Sequence, residues 1–418
     1  MEKSGKFRLT SLERNWILYD VGNSAFVLMV ATLIPIFFNA LAEAGGLSSV
    51  EYLAYWGYAS SAVTVITAVL SPILGTVADT KGFKKPIFIL CVFVGIVGCC
   101  AMGAASAWLL FLVIFVIAKV GFSGSLVFYD SMLSDVTTPE RMDEVSSRGY
   151  AWGYIGSCVP FVVCLGLVLG AGSIGISQMT ALNLALLLTA AWWLLTTLPL
   201  LKSYKQLHYV EVEKHAVRQS FARIGHTLRH LPEDKQVFWF LLAFFCYIDG
   251  VYTIIDMATA YGTALGLDTT GLLLALLVTQ IVAFPSALVF GRLSNKYPSA
   301  KLIPVCIAAY AGIAVFAFFL TRQWQFWVLA VIVGMFQGGV QALSRSHFAK
   351  IIPPEKSGEY FGLFDICGKG ASFLGTMIVS VGSQLTGSAN VGVGSLIVLF
   401  IVGFVLFRVS CKKEVVPE

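Results

Sequence analysis

The chain reads as an all-α membrane protein, with twelve transmembrane helices in two pseudo-symmetric six-helix bundles. Three observations predict this. Hydrophobic residues make up 57% of the sequence and charged residues only 12%, whereas a soluble domain carries charge on about a quarter of its positions. Apolar runs of about 20 residues, the length a bilayer core requires, recur along nearly the whole chain. A short polar hinge, Gly75-Thr-Val-Ala-Asp79-Thr-Lys81-Gly82-Phe-Lys84-Lys85, returns in worn form as Gly291-Arg-Leu-Ser-Asn295-Lys296.

The spans fall near 16–40, 52–78, 86–105, 107–129, 148–171 and 178–200, then 237–262, 270–291, 301–320, 324–345, 361–384 and 390–408. The domains follow: residues 1–201 form the first bundle, 202–235 a linker, and 236–418 the second bundle with its tail. Within the linker, Val217, Phe221, Ile224, Leu228 and Leu231 recur at helical spacing with arginines on other faces. That pattern suits an amphipathic helix lying on anionic headgroups, beside the plainer reading of a solvated connection.

Charge supports this span count. The net charge of +5 comes from basic residues sorted by side, not from a nucleic-acid-binding patch. Only Arg322, Lys119 and Lys369 of the 28 basic residues depart from one face of the membrane when twelve spans are threaded. The positive-inside rule makes that face cytoplasmic, with both termini on it. The nine cysteines are mostly within spans and show no metal spacing, so they read as small apolar fillers. The polar, basic start and long first span do not resemble a cleavable signal peptide.

The two halves are related beyond the hinge. Gly75 and Gly291 are 216 positions apart, as are Asp79 and Asn295, while Pro139-Glu140-Arg141 and Pro354-Glu355-Lys356 are offset by 215. Two anchors at nearly one offset indicate a duplicated six-span unit. Such repeats place a transport site at their interface.

The first hinge resembles the signature loop of the major facilitator superfamily: Gly, then Asp four residues later, then Gly and a basic pair. A narrower resemblance starts at Trp16-Ile-Leu-Tyr19-Asp20-Val-Gly22-Asn23-Ser24-Ala25. With Tyr247-Ile-Asp249-Gly250 and the stretch from Pro139 through Ser147-Arg148-Gly149-Tyr150-Ala151-Trp152-Gly153-Tyr154, it is similar to the branch containing vacuolar amino-acid exporters tied to autophagy. That branch also has many bacterial members of unassigned function, and the short loops here suit a bacterial inner or cytoplasmic membrane. The resemblance implies alternating access and an amino-acid-like solute. Two departures matter: Lys119 and Gly121-Phe-Ser-Gly124 stand in the fourth span where an arginine is frequent, and Asn295 replaces the second hinge acid.

Gly75, Asp79, Gly82, Lys84 and Lys85 are the expected gating set. Asp79 can meet the N-terminus of a neighbouring helix, whose dipole favours negative charge; the plainer reading is a cytoplasmic turn. Buried charges are the other candidates, because a charge at mid-bilayer costs about 2.5–3.5 kcal/mol on insertion scales. Asp249, Tyr252, Thr253 and Asp256 follow i, i+3, i+4, i+7 on one helical face. An acid pair there can bind a cation or a substrate amine, or exchange a proton; structural pairing with Lys119 or Lys369 is the alternative. Asp20 and Asn23 form a polar face near the cytoplasmic end of the first span, as an inner gate, a site floor or a topological anchor. Lys119 is too deep to snorkel and suits a substrate carboxylate or a neighbouring acid. Asp365 and Lys369 stand at i, i+4, where they can pair with each other. Gln337, Gln341 and Arg345 form a one-sided stripe, with Arg345 expected at the membrane surface. Ser60, Thr64, Thr67 and Ser71, and the aromatic group Tyr150, Trp152 and Tyr154, read as packing.

Together these predict a secondary transporter of a small polar organic solute, first an amino acid or related zwitterion, with protons as the coupling ion. The chain is expected to be monomeric and in contact with membrane lipids, with no cofactor, metal or nucleic acid. Amphipathic substrates such as lysolipids or drugs are the alternative cargo, and a non-transporting sensor or scaffold is the alternative class. Enzyme chemistry is not expected, since no Ser-His-Asp, His-Glu-x-x-His or Walker pattern occurs.

Overall fold

The computed structural model describes residues 7–211, 225–227 and 229–412, with a few helical side chains, Lys369 among them, outside that description. Most of the expected linker helix also lies outside the described residues. Fifteen α-helices follow in order among the described residues. The first half has α1 (Ser11–Ala31), α2 (Leu33–Ala44), α3 (Ser49–Ala78), α4 (Lys84–Gly103), α5 (Trp108–Ser131), α6 (Leu133–Val136), α7 (Met142–Leu169) and α8 (Gln178–Ser203). The second has α9 (Lys235–Ala264), α10 (Thr269–Leu293), α11 (Ser299–Phe318), α12 (Gln323–Ile351), α13 (Ser357–Thr386), α14 (Ala389–Gly394) and α15 (Ile397–Cys411).

Among the described residues, eleven stretches are long and apolar enough to cross a membrane, with α1–α2 and α14–α15 each counted as one. The thirty-residue α13 is the twelfth long helix, and at about 1.5 Å per residue it exceeds the hydrocarbon thickness. Each expected span coincides with a long helix or helix pair, the largest departures being α7, which starts six residues earlier, and α12, which runs six residues further. Starts are set by local chemistry. Thr10 and Glu13 form a reciprocal capping box at α1, as do Ser48 and Glu51 at α3. Asp268 caps α10 by accepting from Gly271 N at 2.6 Å.

Inside each bundle many of the contacts are apolar. Phe26, Phe122 and Trp193 stack in the first bundle, and Phe240, Phe244, Phe348 and Phe364 in the second. Glycines let helices approach: a Cβ on Gly121 of α5 would stand 2.8 Å from Gly95 N and 2.9 Å from Cys91 O of α4. Between bundles, α3 packs on α13 and α7 packs on α10 and α12. The linker's first residues return to the first hinge, where Val210 N donates to Asp79 O at 2.8 Å and Lys81 N to Val210 O at 3.1 Å.

Gly121→Val should force α4 and α5 apart at a cost of about 1–3 kcal/mol. A lowered thermal midpoint in detergent is the expected outcome. Gly166→Val, where a Cβ meets nothing within 4 Å, should leave the midpoint nearly unchanged.

Candidate functional site

Two pseudo-equivalent seams join the bundles at the end bearing the hinges. Asp79 is the C-cap of α3 and is fully buried. Its carboxylate accepts from Gly358 N at 2.7 Å and Glu359 N at 2.8 Å. Those residues belong to the first turn of α13, whose N–H groups lack partners within their own helix. Asp79 therefore caps a helix of the opposite bundle, at the end whose dipole favours an anion. Glycine makes this approach feasible: a Cβ on Gly75 would stand 2.1 Å from the carbonyl oxygen of Gly358.

Lys84 is also fully buried, with Nζ 2.8 Å from Ser357 Oγ, 3.6 Å from Asp79 and 3.9 Å from Asp135. Burial pushes the Asp79 carboxyl up to about 6, opposed by Lys84 and the two N–H donors. Gly82 turns the chain with φ +80, and its N donates to Gln206 Oε1 at 3.0 Å. Lys85 reaches the carbonyl of Tyr204 at 3.5 Å. Asp135 accepts from Tyr204 Oη at 2.6 Å and His208 N at 2.9 Å, tying the linker to the latch.

At the second seam the roles are exchanged. Asn295 of the second hinge donates from Nδ2 to Glu144 Oε2 at 2.6 Å, and Glu144 is itself paired with Arg148. A Cβ on Gly291 would meet Ser147 Cβ at 2.9 Å. Beside it Asp143 accepts from Ser346 Oγ at 2.6 Å and pairs with Lys350 at 2.6 Å. The acid missing from the second hinge is supplied by α7, so both seams hold a charged contact rather than one alone.

Between the seams lies Arg345, which is 2% exposed. It was expected at the membrane surface; instead it enters the first bundle. Nη1 lies 3.0 Å from Asp130 Oδ1 and 3.9 Å from Asp20 Oδ2, while Nε and Nη2 bond Ser146 Oγ and O at 2.9 and 3.0 Å. The guanidinium carbon sits over Tyr150, Trp16 and Tyr129 at 4.3, 4.7 and 5.4 Å. Asp130 and Arg345 are 215 positions apart, which is the repeat offset. Equivalent residues in contact place the pair on the pseudo-twofold axis. Tyr150 is thus a ring over a cation, and Tyr154 donates to Gln341 Oε1 at 3.3 Å across the bundles; neither is plain packing.

The expected acid face of α9 divides. Asp249 is fully buried against α13, accepting from Gly375 N at 2.9 Å and Thr253 Oγ1 at 3.3 Å, while its Oδ2 has no donor. It therefore does not project into an open chamber. Asp256, two turns further on, is exposed. Lys119 is half-buried, its Nζ 4.8 Å from the centre of the Phe122 ring. Tyr252 is half-buried, one turn before Asp256 on the same face of α9. Asn23 donates to Tyr19 O at 3.1 Å within its own helix, a structural contact. Asp365 accepts from Ser71 Oγ at 2.7 Å, again between bundles. Gln337, with its Oε1 unpartnered, lines a small recess with Thr253, Tyr261, Thr279, Gln280 and many apolar side chains of the second bundle. No cluster of metal-ligating residues occurs among the described residues.

Asp130, Asp135, Glu144 and Ser146 escaped the sequence reading. The repeat offset linking Asp130 to Arg345 was the available signal, since each looks unremarkable alone near a span end.

Twelve long helices in two bundles, latched at their hinge loops, define a major facilitator fold, the architecture of a non-enzymatic transporter class. The chain belongs to the family described as "Vacuole effluxer Atg22 like", which matches residues 11–140 and 134–414. It is 42% identical over 404 residues to the uncharacterized MFS-type transporter YxiO of Bacillus subtilis, covering 96% of this chain and 94% of that one. It is 25% identical over 314 residues to the autophagy-related protein 22 of Coccidioides immitis, covering 64% of this chain and 51% of that longer protein. In fold it is similar to the human organic anion transporter TETRAN, with a TM-score of 0.71 at 14% identity over 95% and 98% of the two chains. It is also similar to the fucose-named transporter FucP in the outward conformation, with a TM-score of 0.68 at 16% identity over 96% and 97%. It is thus a multi-pass membrane protein of a small-molecule transporter family.

Removing a trans-acting cap should loosen the first seam. Loss of a capping carboxylate costs about 1 kcal/mol, so Asp79→Ala should raise amide hydrogen exchange at Gly358 and Glu359 roughly fivefold. Exchange in the centre of α11 should be unaffected.

Proposed function

We propose that this protein is a secondary transporter that carries a small zwitterion, first an amino acid, by rocking its two bundles about a central site. The feature that supports the reading is a pair of unlike charges set within the spans, Lys119 on α5 and Asp256 on α9, one from each bundle. Lys119 engages the substrate carboxylate and Asp256 its amine, with Tyr252 on the adjoining turn. A ligand bridging the bundles stabilises the state in which both charges reach it, which is how a solute biases alternating access. Asp249, buried with one oxygen free of donors, is the candidate for exchanging a coupling proton.

Orientation follows from charge. The hinge end carries the basic residues, so it faces the cytoplasm together with both termini. The hydrogen bonds joining the bundles cluster at that end, which makes this an outward-facing arrangement. The family description as an effluxer supports a small-solute cargo, and the chain acts as a monomer in the cell membrane. A second reading has its own support: the recess near Gln337 is lined mainly by apolar side chains, which suits an amphipathic cargo.

Proteoliposomes exposed to a mixed pool of amino acids, lysolipids and cationic drugs, with uptake read by mass spectrometry, separate the readings. An amino acid should accumulate, and Lys119→Ala and Asp256→Asn should each lower its uptake at least tenfold. Accumulation of only lysolipid or drug, insensitive to both substitutions, would exclude the zwitterion reading.

A further inference from the structure

The side chain of Arg345 occupies something more specific than an ion pair. Three aromatic faces, from Trp16 of α1, Tyr129 of α5 and Tyr150 of α7, surround its guanidinium at 4.3–5.4 Å. Cations over ring faces within about 6 Å are attracted by the ring quadrupole, and aromatic cages with acids are a general solution for binding ammonium groups. Asp130 and Asp20 supply two carboxylates, while Ser146 supplies a carbonyl and a hydroxyl oxygen. The wall opposite is Gly149, where a Cβ would stand 3.1 Å from Arg345 Nη2, Asp20 Oδ2 and Trp16 alike.

The acids, rings and Ser146 oxygens that contact the guanidinium belong to the first bundle, whereas Arg345 comes from the second. The walls of the box therefore stand on the bundle that does not carry its occupant. It also has more acid than this one cation satisfies. Asp20 is 7% exposed, and its Oδ2 has no hydrogen-bond donor, the guanidinium standing 3.9 Å away. Two carboxyl groups thus stand against one cation in a region of low dielectric, where an unpaired polar atom is expensive.

The geometry points to a cation-binding box in the first bundle that Arg345 fills as a tethered stand-in, and that takes the guanidinium or primary ammonium group of a solute once the hinge end opens. This inference rests on the alternating-access reading above. Withdrawal of α12 leaves Asp130 and Asp20 facing each other beside three ring faces, open to the hinge side. A cationic head then replaces Arg345, and Arg345 displaces it again when the bundles close. Solute release or capture is thereby coupled to closure by competition for one box.

Agmatine, which carries both a guanidinium and an ammonium group, is the probe. The purified full chain should bind radiolabelled agmatine at least tenfold more tightly when Arg345→Ala empties the box. Adding Asp130→Asn and Asp20→Asn should abolish that gain. Equal binding by wild type and Arg345→Ala, or binding that survives loss of both acids, overturns the proposal. Gly358→Leu, which crowds the first seam and props it open with Arg345 intact, gives the same test should Arg345→Ala not fold.

A second measurement separates this idea from alternating access. Ser146→Cys, at the closed seam, should be labelled slowly by a maleimide from the hinge side, and agmatine should slow that labelling at least threefold. Labelling indifferent to agmatine overturns the box and leaves alternating access standing. Absence of labelling above the wild-type background, in the presence of Gly358→Leu, overturns both.

Discussion

A guanidinium carried by one bundle and buried among the acids and rings of the other is the contact around which the closed end is organised. Arg345 cannot be half-withdrawn without cost, because an ion stripped of partners inside a protein loses several kcal/mol. Its stable positions are the filled box and the open aqueous mouth. The acids that meet it stand on α1 and α5 and the rest of its cage on α1, α5 and α7, so one side chain reads the relative position of two whole bundles. Its location on the pseudo-twofold axis gives a symmetric lever: Asp130 and Arg345 hold equivalent places in the two halves. The flanking seams repeat the logic, with Asp79 capping α13 and Asn295 meeting Glu144.

The chemistry of the contacts differs within and between bundles. Inside each bundle, stacked aromatic rings and close glycine approaches supply much of the helix packing, which in a membrane rests on van der Waals contact. Between bundles at the hinge end, hydrogen bonds and ion pairs dominate. Such contacts exchange for hydrogen bonds to water with a net change of about 0.5–1.5 kcal/mol each. On the proposed alternating-access reading, such a polar seam opens and recloses near balance. The two classes of contact allow one chain to be both rigid and bistable.

Much of this was legible in the sequence. Span lengths and the sorting of basic residues give twelve helices with boundaries within six residues, since hydrocarbon thickness leaves little freedom. The hinge glycines and Asp79 were readable because a close backbone approach and a helix cap demand those residue types. The division of the α9 face was not. Asp249 and Asp256 share a face by helical spacing, yet one is sealed against α13 and the other is exposed; spacing fixes a direction but not what lies there at each depth. Arg345 was misplaced for a related reason. An arginine near a span end has the surface as its default, and only its 215-residue offset from Asp130 betrays a partner on the symmetry axis.

The most direct test is a distance measurement across the hinge end by double electron–electron resonance in nanodiscs. Spin labels at Glu140→Cys and Glu355→Cys report on equivalent exposed positions of the two bundles. A dominant short distance in the wild-type background, passing to a longer one when Arg345 is replaced by alanine, is the predicted result. A single unchanging distance, indifferent to Arg345, would contradict the claim that this buried guanidinium holds the two bundles together.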